Sequence, residues 1–241
     1  MVVIKDLHPG AEKGVFADGY LSKAADDRAV VEVDPAADVQ LAGIAGGDGS
    51  ENSGVKLMSC QVFSGDAGVT LDAEARAIKY AADNGAVILQ CSWGYNSSLA
   101  SIIEGYTPGP GSEEEWESLY PLEKEALDYF INNAGSPNGV IDGGLVIFAS
   151  GNEYAGMPAF PGAYSKCVSV SAVAADFTPA SYTDYGKEVT ISAPGGDTEY
   201  YNPVGKNDPE SWTDGIYSGS ILSTWIPVSY THLRAHETTL H

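Results

Sequence analysis

Residues 144–152 read GLVIFASGN, and residues 86–94 read AVILQCSWG. Each stretch is an apolar run that ends in small and polar residues, and neither alternates polar with apolar positions. Short, almost uninterrupted apolar runs are typical of strands that are covered on both faces, as the strands of parallel sheets are. The two stretches therefore predict an α/β fold with a mostly parallel sheet.

The residues before the 86–91 run predict a first crossover unit. A strand is predicted over residues 55–63 and a helix from Thr70 or Asp72 to about residue 84, where Gly85 is placed to stop it in the left-handed conformation. This strand–helix–strand order predicts a parallel unit with a right-handed crossover. The apolar positions of the helix fall on one face: Leu71, Ala75, Ile78 and Ala82.

A second crossover unit is predicted between the two quoted runs. Ser112 and Glu115 have the spacing of a capping box, and Pro121 suits the first turn of a further helix that Gly135 ends. Strands over residues 167–173 and 189–192 follow the 144–149 run, and residues 2–4 are a candidate short strand. The expected core face of the second helix comprises Leu122, Ala126, Leu127, Phe130 and Ile131.

Ligands of open parallel sheets bind beyond the carboxyl ends of the strands. The residues that stand there are Ser92, Trp93 and Gly94 after the 86–91 run, and Asn152 after the 144–149 run. Each also has a purely structural explanation, namely a strand-to-loop turn with a buried Trp, or a turn Asn after Gly151. The two interpretations stay open on these residues alone.

The composition limits the partners of the chain. Its 241 residues include 12 Lys and Arg against 33 Asp and Glu, a formal net charge of −21. A surface this acidic excludes nucleic acid as a partner, because phosphates require a basic surface. Solubility is the plain explanation of the charge, and acidic loops are also suited to Ca²⁺ as a structural ion. No other cofactor is expected.

Three cysteines, Cys60, Cys91 and Cys167, each lie in an apolar run. Their odd number and the lack of a Cys-x-x-Cys motif favour buried, inert thiols over a disulfide framework or a zinc site. No run of eighteen apolar residues predicts a membrane span, and the charged residues within 1–20 do not fit a signal peptide.

Four segments together resemble the subtilases, a family of serine proteases. They are residues 54–63, residues 86–94, residues 144–153, and residues 181–196 with 221–224. The resemblance covers roughly residues 41–226 and is nearest to secreted subtilases of gut-type bacteria. It implies an α/β, subtilisin-like three-layer sandwich with a mostly parallel sheet, incomplete at both ends. It also implies a serine endopeptidase that acts on polypeptide substrates, outside the cell or in its envelope.

The resemblance assigns roles to residues of this chain. Asn152 would donate to the oxyanion of the tetrahedral intermediate. One wall of a cleft that binds extended peptide would consist of Ser92, Trp93 and Gly94, and the pocket before the scissile bond would be lined by Ala149, Ser150 and Gly151. The neighbouring loop, residues 153–164, resembles a cation site of the family, but no ligands are assigned. Substrate preference and oligomeric state are left open.

The chain departs from the family at its catalytic triad. The Gly-Thr-Ser-Met-Ala motif that carries the nucleophile is absent, and so is the His-Gly-Thr-His stretch. His8 stands in the wrong context, and Asp6 after the apolar residues 2–4 lacks the sequel of a catalytic Asp. We therefore expect an inactive fragment of an active protease. The alternative is a non-catalytic peptide-binding or scaffold domain derived from a subtilase.

The predicted organisation has three parts. Residues 1–41 form an atypical segment that is mis-joined to the rest, residues 42–226 a partial peptidase domain, and residues 227–241 a tail foreign to the fold. The tail resembles a peptide that recurs at the ends of translated sequencing assemblies. Its alternative is a metal-binding tract, since His232 and His236 stand four residues apart.

Overall fold

A computed structural model describes residues 2–5, 56–60, 62, 71–102, 107–135, 141–174 and 177–197. Several sequence predictions lie outside these residues: those on Asp6, His8, residues 221–224 and the histidines of the tail. The chain folds into two compact units. Of the described residues, the first unit takes those up to Gln90 and those from 120 to 146, and the second unit takes 91–119 and 147–197.

The described elements are six strands, three α-helices and one 3₁₀ helix. The strands are β1 (Val2–Lys5), β2 (Lys56–Ser59), β3 (Ala86–Cys91), β4 (Leu145–Ala149), β5 (Val168–Val173) and β6 (Ile191–Pro194). The helices are α1 (Leu71–Asp83), α2 (Glu113–Leu119) and α3 (Pro121–Asn133), and the 3₁₀ helix is Ser98–Ile102. Every predicted helix and strand has its counterpart, and most boundaries differ by one or two residues; β2 ends four residues before the predicted limit.

In the first unit, β1 pairs antiparallel with both β2 and β3, and Val2 lies opposite Ser59 on one side and Gln90 on the other. Strands β2 and β3 are therefore parallel to each other, as predicted, but they are not neighbours. The expectation that β2 and β3 pair directly is wrong, because β1 lies between them. Local sequence pattern carries no signal for this, because β1 stands more than fifty residues before β2.

Helix α1 follows its predicted pattern. Ala75, Ile78 and Ala82 are buried, and the helix packs against α3. Gly85 ends it with φ +80°, and its N–H donates to Ala82 O at 3.2 Å. An L-residue with a Cβ is strained in this left-handed conformation, so glycine is the residue that suits the stop.

Helix α3 begins at Pro121, the predicted first-turn residue, and buries Ala126, Leu127 and Phe130. One core prediction is wrong: Leu122 is 43 % exposed, whereas the side chain of Glu123 is fully buried. Successive helical residues are rotated by about 100°. The buried stripe that passes through residues 126, 127 and 130 centres near 123, which leaves Leu122 at its margin.

In the second unit, β4, β5 and β6 form consecutive parallel pairs, with Ile147 opposite Val168 and Val170 opposite Ile191. The parallel pairing confirms the predicted α/β class. On β4, Val146 and Phe148 are buried, Ile147 between them is half-buried, and Leu145 and Ala149 at the two ends are exposed. One face of the strand is therefore covered, and its carboxyl end leads into the loop that carries Asn152.

Helix α2 is fixed to the core of the second unit by one side chain. Trp116 is fully buried, stacked on Phe160 at 5.4 Å between ring centroids and tilted against Tyr164 at 5.1 Å. The Glu115 N–H donates to Ser112 Oγ at 3.2 Å, as a capping box requires. The second hydrogen bond differs from that of a capping box, because the Glu115 carboxylate accepts from the N–H of Gly111 and not from that of Ser112.

All three cysteines are buried, as predicted, and none forms a disulfide. Within the described residues, no helix combines the length and the apolar character needed to cross a membrane.

Candidate active site

The loop that follows β4 is fixed to its surroundings on both sides of Ser150. The Ser150 N–H donates to Val170 O at 2.9 Å, which extends the β4–β5 pairing by one residue. The Ser150 carbonyl accepts from the Ala159 N–H at 2.8 Å. The buried Ser150 hydroxyl donates to Asp184 O at 3.1 Å. The Ser150 side chain thus points toward a neighbouring loop, while Ala149 before it is exposed.

Asn152 stands at the exposed tip of this loop. No residue in the described part of the chain hydrogen-bonds its side-chain amide. The main chain just after it is held firmly, because the N–H groups of Glu153 and Ala155 both donate to Asp184 Oδ1, at 3.0 and 2.8 Å. The amide therefore projects from an anchored backbone, with both its N–H groups available to a ligand.

A second loop, residues 181–185, runs beside the first. Tyr154 N–H donates to Tyr182 O at 2.9 Å, Asp184 N–H to Gly151 O at 3.1 Å, and Tyr185 N–H to Ala155 O at 2.9 Å. These three main-chain bonds bind the loops together on either side of Asn152. Residues 181–186 resemble the family in sequence, but the resemblance gave none of them a role. The importance of Asp184 was missed for that reason, since an acid in a loop gives no signal until its burial is known.

The Asp184 carboxyl has an altered acidity. Its side chain is fully buried, and burial followed by a hydrogen bond to Glu153 raises its pKa to about 8. Desolvation penalises the charged form of a carboxyl, and a second carboxyl nearby penalises it further. Both causes favour the protonated, neutral form of the Asp184 carboxyl over its ionised form.

The loop after β3 is the other half of the candidate site. The Trp93 ring is half-buried and meets Phe148 of β4 edge-to-face at 5.0 Å, and Tyr95 N–H donates to Phe160 O at 2.8 Å. Ser92 and Gly94 are exposed. A Cβ on Gly94 would lie 2.9 Å from Phe160 O, so the close approach of the two backbones admits only glycine there.

The dipeptide of Ala159 and Phe160 joins the two strand ends. Ala159 N–H binds the carbonyl of Ser150 after β4, and Phe160 O binds the N–H of Tyr95 after β3. The loop that contains Ser92, Trp93 and Gly94 therefore lies next to the loop that contains residues 149–152. Gly94 itself makes no main-chain hydrogen bond with any described residue, which leaves its N–H and C=O open to a ligand.

Metal ligands are not apparent at this site. No group of three or more Asp, Glu, His or Cys side chains within the described ranges is arranged to hold an ion. Asp184 and Glu153 supply two neighbouring carboxyls, which is fewer than the three ligands of such a group. We assign no calcium ligands.

A family model for the subtilases matches residues 39–234 of the chain. This chain belongs to the subtilase family. The match runs a few residues beyond both ends of the predicted peptidase segment, 42–226.

Two curated relatives are similar to parts of this chain. Halolysin of Haloferax mediterranei is 49 % identical over 51 residues, which is 21 % of this chain and 10 % of halolysin. The calcium-dependent protease of a Nostoc species is 28 % identical over 170 residues, 64 % of this chain and 22 % of that protein. The chain therefore spans no more than 22 % of the length of these two relatives.

A solved structure supports the subtilase fold. The epidermin leader peptide processing serine protease of Staphylococcus aureus superimposes with a TM-score of 0.50 at 19 % identity, over 68 % of this chain and 39 % of that one. Together with the parallel pairing of β4, β5 and β6, the likeness confirms a subtilisin-like α/β fold.

Proposed function

We propose that this subtilase chain carries the peptide-binding cleft and the oxyanion donor of a serine endopeptidase, and that the chain as written does not itself catalyse hydrolysis. The observation that carries the proposal is the pair of main-chain hydrogen bonds made by Ala159 and Phe160. These bonds hold the loop after β3 against the loop after β4. Both loops present groups that peptide hydrolysis requires.

The first loop is suited to bind an extended peptide as an added strand. Main-chain hydrogen bonds supply affinity in this mode, and pockets for alternate side chains supply specificity. Gly94 is exposed, and its N–H and C=O have no partner among the described residues. Half-buried Trp93, backed by Phe148, offers an apolar surface beside that strand. Ala149, Ser150 and Gly151 remain our proposal for the pocket before the scissile bond.

The second loop is suited to stabilise developing negative charge. Attack on a peptide carbonyl turns its oxygen into an oxyanion, and a fixed donor aimed at that oxygen lowers the barrier. The Asn152 amide is exposed and unengaged within the described residues, and the backbone after it is anchored on Asp184. In subtilisin, a member of this family, removal of one such donor lowers turnover about 10²–10³-fold, a value that belongs to that enzyme.

The catalytic step itself needs groups that the sequence lacks. A subtilase uses Asp, His and Ser in that chain order: the Ser attacks, the His takes its proton and the Asp orients the His. No Gly-Thr-Ser-Met-Ala motif occurs among the 241 residues, and no His-Gly-Thr-His stretch. Extracellular or envelope location and a structural Ca²⁺ in the complete protease are further parts of this proposal, taken from the family.

Binding of short peptides tests the cleft. We expect fluorescein-labelled tetrapeptide amides, in a panel that varies the C-terminal residue, to raise fluorescence anisotropy with the purified chain. The Gly94→Ala substitution places a Cβ against Phe160 O and displaces the peptide's main-chain partners. Loss of one or two hydrogen bonds of about 1 kcal/mol each should weaken binding about tenfold.

The matched control is Gly111→Ala. Gly111 is also exposed, and a Cβ there meets only ordinary contacts at 3.5 Å. The Gly111→Ala variant should bind the labelled peptides as tightly as the unsubstituted protein does. Equal losses in both variants, or no binding to the unsubstituted chain, would contradict the proposal.

A further inference from the structure

Two carboxyl groups meet beneath the Asn152 loop, those of Asp184 and Glu153. Asp184 is fully buried and Glu153 half-buried. A Cβ on Gly151 would contact both Asp184 Oδ2 and Glu153 Oε2, so these two oxygens converge on one point beside the Gly151 backbone. Both oxygens are buried, and neither has a hydrogen-bond donor among the described residues as long as both groups are ionised. Two acceptors in this position become a hydrogen-bonded pair when one of them carries a proton.

The other oxygen of Asp184 has a different task. Oδ1 accepts the N–H groups of Glu153 and Ala155, at 3.0 and 2.8 Å. These N–H groups belong to the residues that follow Asn152 directly, and the Asp184 N–H closes the loop from the other side on Gly151 O. Asp184 therefore holds the main chain on both sides of Asn152, before it through its own N–H and after it through its side chain.

We propose that Asp184 is the positioning residue of the Asn152 loop: Oδ1 clamps the main chain after Asn152, and Oδ2 is joined to Glu153 through one shared proton. The inference rests on the proposed function, since it explains how the oxyanion donor is held. Loss of the shared proton leaves two facing carboxylates, whose repulsion loosens the loop.

The other titratable and charged groups near the pair lie on the two loops and just beyond them. On the two loops the other titratable side chains are the phenols of Tyr154, Tyr182 and Tyr185, and beyond Gly186 stand Lys187 and Glu188. Asp197 faces the second loop by accepting Ser181 N–H. From β5, Ala172 N–H donates to Thr183 Oγ1, which does not titrate.

The raised pKa of Asp184, about 8, fixes the direction of the pH effect. The folded protein keeps a proton that the unfolded chain loses near the ordinary value of 3.8. The stability contributed by this group is therefore complete below about pH 4 and declines as the pH rises to about 8. Above that value the clamp carries two negative charges, and the loop is expected to open locally.

Amide hydrogen exchange measured by NMR between pH 6 and pH 10 tests the clamp. We expect protection of the Glu153 and Ala155 amides to fall about tenfold above pH 8, the equivalent of one lost hydrogen bond. The intrinsic pH dependence of exchange is removed by reference to the Ala163 amide, whose bond to Ala159 O lies outside the clamp.

Two substitutions remove the shared proton but keep the hydrogen bond between the two side chains. In Asp184→Asn, the amide oxygen still accepts both N–H groups and the NH₂ donates to Glu153 Oε2, so the step near pH 8 should vanish while protection stays high. In Glu153→Gln, the new NH₂ donates to Asp184 Oδ2, with the same result. The exposed Asp142→Asn is the charge-matched control and should keep the step.

The outcomes separate this inference from the proposed function. If Glu153 and Ala155 follow Ala163 at every pH in the unsubstituted chain, or if Asp184→Asn keeps the step, then the shared proton is refuted. The measurement requires no peptide and no turnover. A failure of the clamp thus leaves the peptide-binding result standing, and a failure of peptide binding leaves the clamp standing.

Discussion

At the scale of single residues, Asn152 owes its position to its neighbours. Gly151 precedes it with φ +122°, a conformation that residues with a Cβ rarely adopt. Asp184 receives the N–H groups that follow it. The Asn152 side chain makes no bond to the described residues, so its placement comes from the backbone on either side. This division leaves the amide for a ligand.

Gly151→Ala should therefore lower the free energy of unfolding. The new Cβ meets Asp184 Oδ2 and Glu153 Oε2 in a backbone conformation that is already strained for alanine. We expect a loss of roughly 1–3 kcal/mol, measured from urea unfolding monitored by circular dichroism.

Gly156→Ala is the control for this glycine. Its Cβ would lie 3.6 Å from Leu99 and Tyr185, which is ordinary contact, and its φ lies outside the left-handed region. Its effect should stay within about 0.5 kcal/mol. An equal effect of the two substitutions would show that the Gly151 conformation is not needed.

At the scale of elements, helices α1 and α3 bury a pair of acids between them. Glu74 on α1 is 3 % exposed and Glu123 on α3 is fully buried. Burial, followed by repulsion from Glu123, raises the pKa of Glu74 to about 9. Glu74 Oε2 has no donor among the described residues when both groups are ionised, so this pair also holds a proton at neutral pH.

Glu74→Gln should stabilise the helix pair at alkaline pH. Glu74 in the folded protein binds a proton that the unfolded chain releases near pH 4.5, so its contribution to stability declines between about pH 4.5 and 9. A glutamine donates to Glu123 at every pH and removes this slope. We expect a gain of about 1–3 kcal/mol at pH 9 and little change at pH 5.

The check is urea unfolding over pH 5–9, with Glu125→Gln as the control. Glu125 lies on the same helix as Glu123 but is exposed. Its variant should keep the slope of the unsubstituted protein. A pH slope that survives in Glu74→Gln would mean that the pair does not share a proton.

At the scale of the whole molecule, two features stand together: the loops after β3 and β4 are held against each other, and the sequence lacks the family motifs for the catalytic Ser and His. These two loops belong to one compact unit. The sequence has no motif for an activated serine, and its net charge of −21 opposes binding to polyanions. The proposed function therefore separates the recognition of a peptide from its hydrolysis.

A fluorophosphonate probe tests that separation. The reagent labels serines that a neighbouring base activates. We expect no covalent label on the purified chain at neutral pH, measured by intact-protein mass spectrometry, while a complete subtilase run beside it is labelled. Stoichiometric labelling would overturn the view that this chain lacks an activated serine.

How much of this could be predicted from the sequence differs from feature to feature. The runs at residues 86–91 and 144–149 predicted two strands almost to the residue, because each is a short apolar run bounded by glycine and polar residues. Gly85 and Pro121 set helix ends through backbone conformation, which is local as well. The family resemblance added candidate site residues at the strand ends, and those roles remain predictions.

The tertiary structure decided what depends on residues far apart in the chain. The insertion of β1 between β2 and β3, the exposure of Leu122 in favour of Glu123, and the role of Asp184 all arise from such partners. The acidity of a carboxyl depends on what surrounds it, and Asp184 and Glu153 stand 31 positions apart. Local pattern encodes which segments become strands and helices, whereas burial and the approach of like charges exist only after those segments have packed.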